Sequence, residues 1–234
     1  FIYKNSLNAL KIWGDTLRKE NILRWLSKYN LEHKKIKKIG IIMAGNIPMV
    51  GFHDLMCLLF TNHNGIIKTS SSDPFLIPFI YNKLVEFEPE LAERVIFRKK
   101  MDFVDAIIAT GNNISIKNIN EKFRSIPSIL RGTRSSIAIL NGKESLEDLK
   151  LLSNDILTYF GFGCRSITKI YLPNKYDFTL LKKILKEKSE PITLIEYLNN
   201  FKKIKAINEM IKNNFHVAGK LIIIESKNIN AEIS

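Results

Sequence analysis

Short apolar runs alternate with helical patterns along most of the chain, and this alternation restricts the possible fold more than any other feature. The predicted buried strands include 39–43, 65–68, 104–109 and 136–140. The segment 145–160 has leucines and isoleucines at helical spacing, which is typical of a helix between two strands. Buried strands separated by helices predict an α/β fold, in which a parallel sheet is covered by helices on both faces.

The first 37 residues follow a different pattern. Apolar side chains repeat at helical spacing over 17–26, and Asp15 is placed to cap that helix. A basic stretch from Lys34 to Lys38 follows and is predicted to be a linker. We therefore divide the chain into three parts, which are a helical segment 1–37, a first α/β region 38–134 and a second α/β region 135–234.

Three predicted strands end in turns that are rich in glycine, asparagine, serine or threonine. These turns are 44–48, 68–73 and 109–113. Ligands in open α/β sheets bind beyond the carboxyl ends of the strands, where these turns lie. Each turn alone is equally consistent with an ordinary connection, because the same residue types favour turns. Three such turns at equivalent places favour a ligand site.

The net charge of +13 does not by itself indicate a nucleic-acid-binding protein. The lysines are scattered along the chain, and the sequence has no arginine-rich arm or aromatic-flanked basic motif. A basic protein can equally bind the phosphates of an anionic cofactor or of coenzyme A. We therefore predict no nucleic-acid partner and keep nucleic-acid binding only as a distant alternative.

Other features of the composition favour a cytoplasmic protein without a metal. No apolar stretch approaches the roughly 18 residues that a membrane span needs, and no signal peptide is visible. The two cysteines, Cys57 and Cys164, have different surroundings and indicate free thiols rather than a disulfide framework. The four histidines are scattered, and no zinc-ligand cluster is present.

Cys164 is the candidate nucleophile. Two glycines precede it in the segment 160–165, which allows the backbone to approach a substrate closely. Arg165 places a positive charge beside it, and such a charge favours the reactive thiolate of a cysteine. Thiolates attack thioesters readily. A small cysteine packed in a turn is the alternative, and packing within a helix is the favoured interpretation for Cys57.

The segment Phe160-Gly-Phe-Gly-Cys-Arg-Ser-Ile-Thr-Lys-Ile-Tyr-Leu-Pro173 resembles the nucleophile segment of the acyl-CoA reductases. That family includes the fatty-acid reductase component of bacterial luminescence. The segments 44–54 and 108–113 resemble two further signatures of the same family, in the same order. Because these reductases belong to the aldehyde dehydrogenase superfamily, the resemblance implies an aldehyde-dehydrogenase-like fold with a Rossmann-like parallel sheet.

The resemblance also implies roles for individual residues. Cys164 matches the nucleophile, and Asn46 matches the asparagine whose amide donates to the oxyanion of the reacting thioester. Lys68 matches the lysine that holds the adenosine ribose of the cofactor. Thr110 and Gly111 match the turn at which a helix N-terminus meets the cofactor pyrophosphate.

Ser70 and Ser71 complete the predicted cofactor site. Relatives that prefer NAD usually carry a glutamate at the position of Ser71, where a carboxylate binds the ribose 2′-hydroxyl and repels a 2′-phosphate. A serine removes that repulsion. The resemblance therefore implies NADPH as the cofactor.

One matched stretch departs from the aldehyde-oxidising relatives. The segment 130–135 has no glutamate where those enzymes carry the residue that activates water, so the resemblance implies reduction of a thioester. Proton delivery then has no assigned residue, and His53 and Asp54 are candidates, with packing in a helix slightly favoured for His53. Phe52 and Met56 are candidates to line an acyl tunnel, although core packing is the favoured interpretation of each.

The resemblance thus implies an NADPH-dependent reductase that converts long-chain acyl-CoA into fatty aldehyde through an acyl-cysteine on Cys164. The first α/β region is then cofactor-binding, and the second is catalytic. An acyl-transferring synthetase is an alternative source of the acyl group, and homo-oligomerisation is left open.

The family pattern continues beyond the last predicted strand, which is 220–225. The resemblance implies further chain there, with a glutamate motif that positions the nicotinamide ribose. We therefore expect a truncated version of the fold, incomplete at its C-terminus. A catalytically inactive fragment that acts as a nucleotide-binding or assembly module is the second alternative.

Overall fold

The computed structural model describes residues 3–32 and 35–226. The chain divides into two compact units, Phe1–Thr133 and Arg134–Ser234. Each unit has its own secondary structure and its own hydrophobic clusters.

The first unit contains a five-stranded sheet with the order β3-β2-β1-β4-β5, in which all neighbouring strands are parallel. The first strand is therefore central. The strands β2 and β3 are added on one side of it and β4 and β5 on the other, which is the Rossmann-like arrangement. The strands are β1 Lys38–Ile42, β2 Asn64–Lys68, β3 Val95–Phe97, β4 Ala106–Thr110 and β5 Ser128–Arg131. The helices are α1 Tyr3–Thr16, α2 Lys19–Leu26, α3 Phe52–Phe60, α4 Leu76–Phe87 and α5 Asn113–Lys122, with a 3₁₀ turn at Pro89–Glu93.

Hydrophobic side chains cover both faces of this sheet. Ile41 and Ile67 are fully buried and belong to the cluster that α3 and α4 cover. The adjacent Ile66 belongs to a separate cluster with Ile107 and Ile119, because successive side chains of a strand point to opposite faces. The predicted α/β fold, with helices on both faces of a parallel sheet, is confirmed.

The N-terminal helices differ from the prediction. Asp15 does not cap the second helix, since α2 begins after Arg18, and Asp15 instead forms a 2.6 Å ion pair with the Arg18 side chain. Trp13 of α1 packs edge-on against Phe52 of α3, with the ring centroids 4.9 Å apart. These helices therefore pack on the first unit. Lys34, which begins the predicted basic stretch, lies outside the described residues.

The second unit is smaller and contains both a parallel and an antiparallel pair of strands. Two parallel strands, β6 Ser136–Ile139 and β7 Ile167–Tyr171, are joined through α6 Leu146–Leu157 and a 3₁₀ turn at Thr158–Gly161. The remaining elements are α7 Thr179–Ser189, α8 Ile195–Met210 and the antiparallel pair β8 Phe215–Ala218 and β9 Leu221–Ile224.

The core of the second unit lies between α6 and α7. Ser145 and Asp148 form a reciprocal capping box at the start of α6, and Leu149, Leu181 and Leu185 are buried behind it. No helix of the described residues is long and apolar enough to cross a membrane.

The central position of Ile67 gives a test of the fold. We expect Ile67→Ala to lower the free energy of unfolding by about 2–5 kcal/mol, because a fully buried side chain leaves a cavity when it is truncated. Urea denaturation followed by circular dichroism measures this change. The control is Ile96→Ala on the edge strand β3, where Ile96 is 47% exposed and the loss should be much smaller. Equal losses for the two variants would contradict this description of the sheet.

Candidate active site

Four strands of the first unit end at one edge of the sheet. Ile42, the last residue of β1, pairs with Lys68 of β2 on one side and with Ala109 of β4 on the other. Thr110, the last residue of β4, pairs with Arg131, the last residue of β5. The turns that follow these strands therefore open at the same edge, which is where ligands bind in sheets of this order.

The loop that follows β1 packs closely against the turn that follows β2. A Cβ atom on Gly45 would lie 2.6 Å from the Cβ atom of Ser70 and 3.1 Å from the backbone nitrogen of Asp73. Such distances leave room only for glycine at position 45. Asn46, which comes next, is exposed. The close contact therefore places the candidate oxyanion donor in the loop beside the serine turn.

The serine turn is held by its own hydrogen bonds. The backbone nitrogen of Ser72 donates to Oγ of Ser70 at 3.2 Å, and the Asp73 carboxylate accepts from the backbone nitrogen of Leu76 at 3.1 Å. The helix α4 therefore begins at Leu76, two residues later than the predicted start. Lys68 and Ser71 are both exposed on this edge.

The turn after β4 leads into the N-terminus of α5. Asn112 caps that helix, with its side chain accepting from the backbone nitrogen of Ser115 at 2.8 Å. The backbone nitrogen of Gly111 donates to the carbonyl of Arg131 at 3.1 Å, which fixes the Thr110–Gly111 turn to the end of β5. The first turn of α5 has no acidic side chain, so the partial positive charge of the helix start has no acidic neighbour there.

Cys164 lies in the second unit, at the tip of a tight turn. The backbone nitrogen of Gly163 donates to Oγ of Ser166 at 3.2 Å, and the backbone nitrogen of Ser166 donates to the carbonyl of Gly163 at 2.9 Å. Cys164 and Arg165 are the two central residues of this turn, and both are exposed. The thiol is therefore presented to solvent by a fixed backbone.

The backbone before the cysteine turn is left-handed over three residues. Tyr159, Phe160 and Gly161 have φ values of 63°, 57° and 80°. Two consecutive left-handed residues that are not glycine are rare and need support from neighbouring packing. Phe160 obtains such support from Tyr197 of α8, at 5.8 Å between ring centroids, and the Tyr197 hydroxyl donates to the Lys220 carbonyl at 2.8 Å.

The predicted site residues are thus divided between the two units. Six of them lie at the strand-end edge of the first unit and its turns, and Cys164 lies in the second. The six are Asn46, Lys68, Ser70, Ser71, Thr110 and Gly111.

An ion pair at the same edge was not predicted from the sequence. Asp54 of α3 is 5% exposed, and Nη1 of Arg131 donates to both of its carboxylate oxygens, at 2.9 and 2.8 Å. Arg131 belongs to the stretch 130–135, which lacks the glutamate of the oxidising relatives. The pair joins residues 77 positions apart, so no local pattern could indicate it.

His53 carries a positive charge at neutral pH. A hydrogen bond to Asp54, together with one to Cys57, raises its pKa from 6.5 to about 9, although partial burial acts in the opposite direction. Trp25 lies over the ring at 5.5 Å between centroids, close enough for a cation–π contact.

Two expectations about α3 have different outcomes. Phe52 and Met56 are 3% and 7% exposed and belong to the main hydrophobic cluster, so core packing is confirmed for both. Cys57 does not simply pack in the helix, because it is only half-buried and its Sγ atom lies 3.8 Å from both ring nitrogens of His53. Among the described residues, no group of three histidine, cysteine or acidic side chains could hold a metal ion.

The raised pKa of His53 gives a pH-dependent contribution to stability. A group whose pKa is higher in the folded state stabilises the protein fully below its unfolded value of 6.5, and this contribution is lost as the pH rises through about 9. The unfolding free energy should therefore decline between pH 6.5 and about 9. We expect this decline to be smaller in His53→Gln than in the unsubstituted protein. Urea denaturation across the same pH range measures it. His216→Gln, at an exposed position of β8, should leave the decline intact, and an unchanged decline in His53→Gln would contradict the assignment.

A family model described as acyl-CoA reductase (LuxC) matches residues 11–195 of the chain. Long-chain acyl-protein thioester reductase 2 of Photobacterium leiognathi is 27% identical in an alignment of 146 residues that covers 56% of this chain and 30% of that protein. The corresponding reductase of Aliivibrio fischeri is 26% identical, again over 30% of its own length. The chain therefore spans about 30% of the length of these curated relatives.

Solved structures show the same fold. In the NAD⁺ complex of an aldehyde dehydrogenase from Bacillus cereus, the match has a TM-score of 0.63 at 14% identity and covers 79% of this chain and 43% of that one. At this level of identity, the likeness establishes the architecture alone.

Proposed function

The chain belongs to the acyl-CoA reductase (LuxC) family, and we propose that it reduces long-chain acyl thioesters to fatty aldehydes through an acyl-cysteine on Cys164. The observation that carries the proposal is the exposed thiol at the tip of a fixed turn, within the matched residues. The names of the curated relatives describe reduction of long-chain acyl thioesters, so a nucleophilic thiol is the group that such chemistry requires.

In the proposed first step, Sγ of Cys164 attacks the carbonyl carbon of the acyl thioester. A new carbon–sulfur bond forms, the bond to the donor sulfur breaks, and the donor leaves as a thiol. The exchange is chemically easy because both the attacking and the leaving atoms are sulfur. The product is an acyl-enzyme whose carbonyl is ready for reduction.

Asn46 is proposed to stabilise the negative oxygen that develops on the acyl carbonyl. Its amide can donate a hydrogen bond, and the close contact at Gly45 fixes the loop that carries it. A donor that is held in place before the reaction costs no reorganisation when the charge appears. The backbone nitrogen of Cys164 is the proposed second donor.

The edge of the first unit fits a nicotinamide dinucleotide, and NADPH is the proposed cofactor. The exposed Lys68 and the half-buried Ser70 suit the adenosine ribose. The Thr110–Gly111 turn before α5 suits the pyrophosphate because the helix start has no acidic neighbour in its first turn. Ser71 carries no charge that would repel a 2′-phosphate. When bound, NADPH supplies the hydride that turns a thioester into an aldehyde.

The stretch 130–135 supports reduction over hydrolysis. It provides Arg131, whose guanidinium pairs with the buried Asp54, and it offers no carboxylate to activate a water molecule. The stretch therefore supplies no side chain that would activate water to hydrolyse the proposed acyl-enzyme. We propose acyl-CoA as the donor, with an acylated partner protein as the alternative source.

Acyl transfer to Cys164 can be tested without the cofactor. We expect the chain to form a covalent adduct with decanoyl-CoA, located at Cys164 by peptide mapping, because thiol exchange precedes reduction. Intact mass spectrometry measures the adduct. Cys164→Ala is the negative control for that peptide, and Cys57→Ser should still be modified at Cys164. A folded Cys57→Ser chain that forms no adduct would contradict the proposal.

Cofactor preference depends on the charge at position 71. We expect Ser71→Glu to weaken NADPH binding by about a hundredfold relative to NADH, because a carboxylate there repels the 2′-phosphate. Fluorescence titration of the two cofactors measures the ratio. Ser72→Glu is the matched control, since it adds the same charge at the exposed neighbouring position. If both variants changed the ratio of NADPH to NADH affinity equally, Ser71 would not be the residue that distinguishes the 2′-phosphate.

A further inference from the structure

A second thiol of the chain lies beside a charged histidine in the first unit, whereas the proposed catalytic cysteine belongs to the second unit. Sγ of Cys57 is 3.8 Å from Nδ1 and 3.8 Å from Nε2 of His53, one helical turn away on α3. Nδ1 of the same ring lies 3.5 Å from Oδ1 of Asp54. A thiol and a carboxylate thus both lie beside one imidazole, and a thiol next to an imidazole supports nucleophilic chemistry.

The imidazole is held in place from several sides. Asp54 is itself fixed by Nη1 of Arg131, which donates to both of its carboxylate oxygens. The rings of Trp25 and Trp13 lie at 5.5 and 6.4 Å from the His53 ring. Even so, 53% of the His53 side chain is exposed. The ring can therefore exchange protons with an incoming molecule while its orientation is maintained.

Cys57 also forms part of the wall of an apolar cavity of about 330 Å³. Most of the wall is aliphatic, with contributions from Ile39, Leu58, Ile107 and Ile129. The volume is more than twice that of an engineered, enclosed apolar cavity of ~150 Å³ that binds benzene, and the cavity beside Cys57 is partly open to solvent. A hydrocarbon segment of several carbons is the ligand class that such a wall accepts.

The cavity is distinct from the cofactor edge. Its lining includes Ile39, Ala106 and Ser128, which lie at the starts of β1, β4 and β5. The turn residues proposed to hold NADPH follow the opposite ends of the same sheet's strands. A molecule in the cavity would therefore occupy a site of its own.

We propose that Cys57 is a second acylation site, which accepts the acyl group of a long-chain thioester while the apolar cavity holds the hydrocarbon chain and His53 protonates the departing thiolate. The choice of donor rests on the proposed function, because that function brings long-chain thioesters to the protein.

The step balances without any oxidant or reductant. Sγ of Cys57 forms a bond to the thioester carbonyl carbon, and the bond between that carbon and the donor sulfur breaks. The thiol proton is lost to solvent as the carbon–sulfur bond forms. The charged imidazole of His53 donates its proton to the departing thiolate and then recovers one from solvent. Cys57 ends as an acyl thioester, and the donor ends as a free thiol.

The test uses the full chain with Cys164→Ala, in which Cys57 is the only thiol. We expect decanoyl-CoA to give an adduct that peptide mapping places on Cys57 and that hydroxylamine releases. Decanoyl-CoA should react about a hundredfold faster than acetyl-CoA, because each buried methylene adds to binding. Adding His53→Gln should slow the reaction by about a hundredfold, which is the lower end for loss of a general acid–base group.

Matched variants separate the site from nonspecific reaction. In the same background, Ile129→Ser makes the cavity wall polar and should remove most of the preference for the long chain. Ile114→Ser changes an exposed isoleucine of α5 outside the cavity and should leave that preference unchanged. His216→Gln should likewise leave the rate unchanged, and circular dichroism confirms the fold of each variant.

Two results would overturn the proposal. One is a folded Cys164→Ala chain that takes no acyl group, and the other is an adduct whose rate depends neither on His53 nor on chain length. The reciprocal variant Cys57→Ser reports on Cys164 alone. Failure of the Cys57 site is therefore seen in Cys164→Ala, and failure of the proposed chemistry at Cys164 is seen in Cys57→Ser.

Discussion

The parallel pairing of β1 with β2 on one side and with β4 on the other determines the rest of the first unit. Because the strands run in the same direction, their carboxyl ends coincide, and turns far apart in the sequence meet at one edge. Asn46 and Thr110 share that edge only because Ile42 pairs with Ala109. Backbone hydrogen bonds of the sheet therefore bring together side chains that have no direct attraction for one another.

The sequence predicted the parts of the fold that have a strong period or a strong apolar run. The central strands and α6 agree to within a few residues, because their burial is nearly complete on at least one face. It missed β5, whose residues are largely exposed at the edge of the sheet, and α8, whose apolar side chains are not gathered on one face. A pattern of burial cannot reveal an element that is hardly buried.

The candidate site was predictable to a similar degree. The turns after the strands and the glycine-rich turn at Cys164 are local, so their sequences indicated them. The Asp54–Arg131 pair joins α3 to β5 and becomes visible only when the sheet is assembled. The surroundings of Cys57 were missed for another reason. A cysteine within an apolar run has the composition of a core residue, and only the position of His53 one turn earlier distinguishes it.

Because no side chain fits at position 45, the two serines of the neighbouring turn differ in their surroundings and in the consequences of substituting them. Ser70 packs against the loop that carries Asn46, with its Cβ atom 2.6 Å from the place that a Cβ atom of residue 45 would occupy. Ser71 is exposed and can change without moving it. A substitution at position 71 would therefore change the proposed cofactor site alone, whereas one at position 70 would change a residue packed against the loop that carries the proposed oxyanion donor.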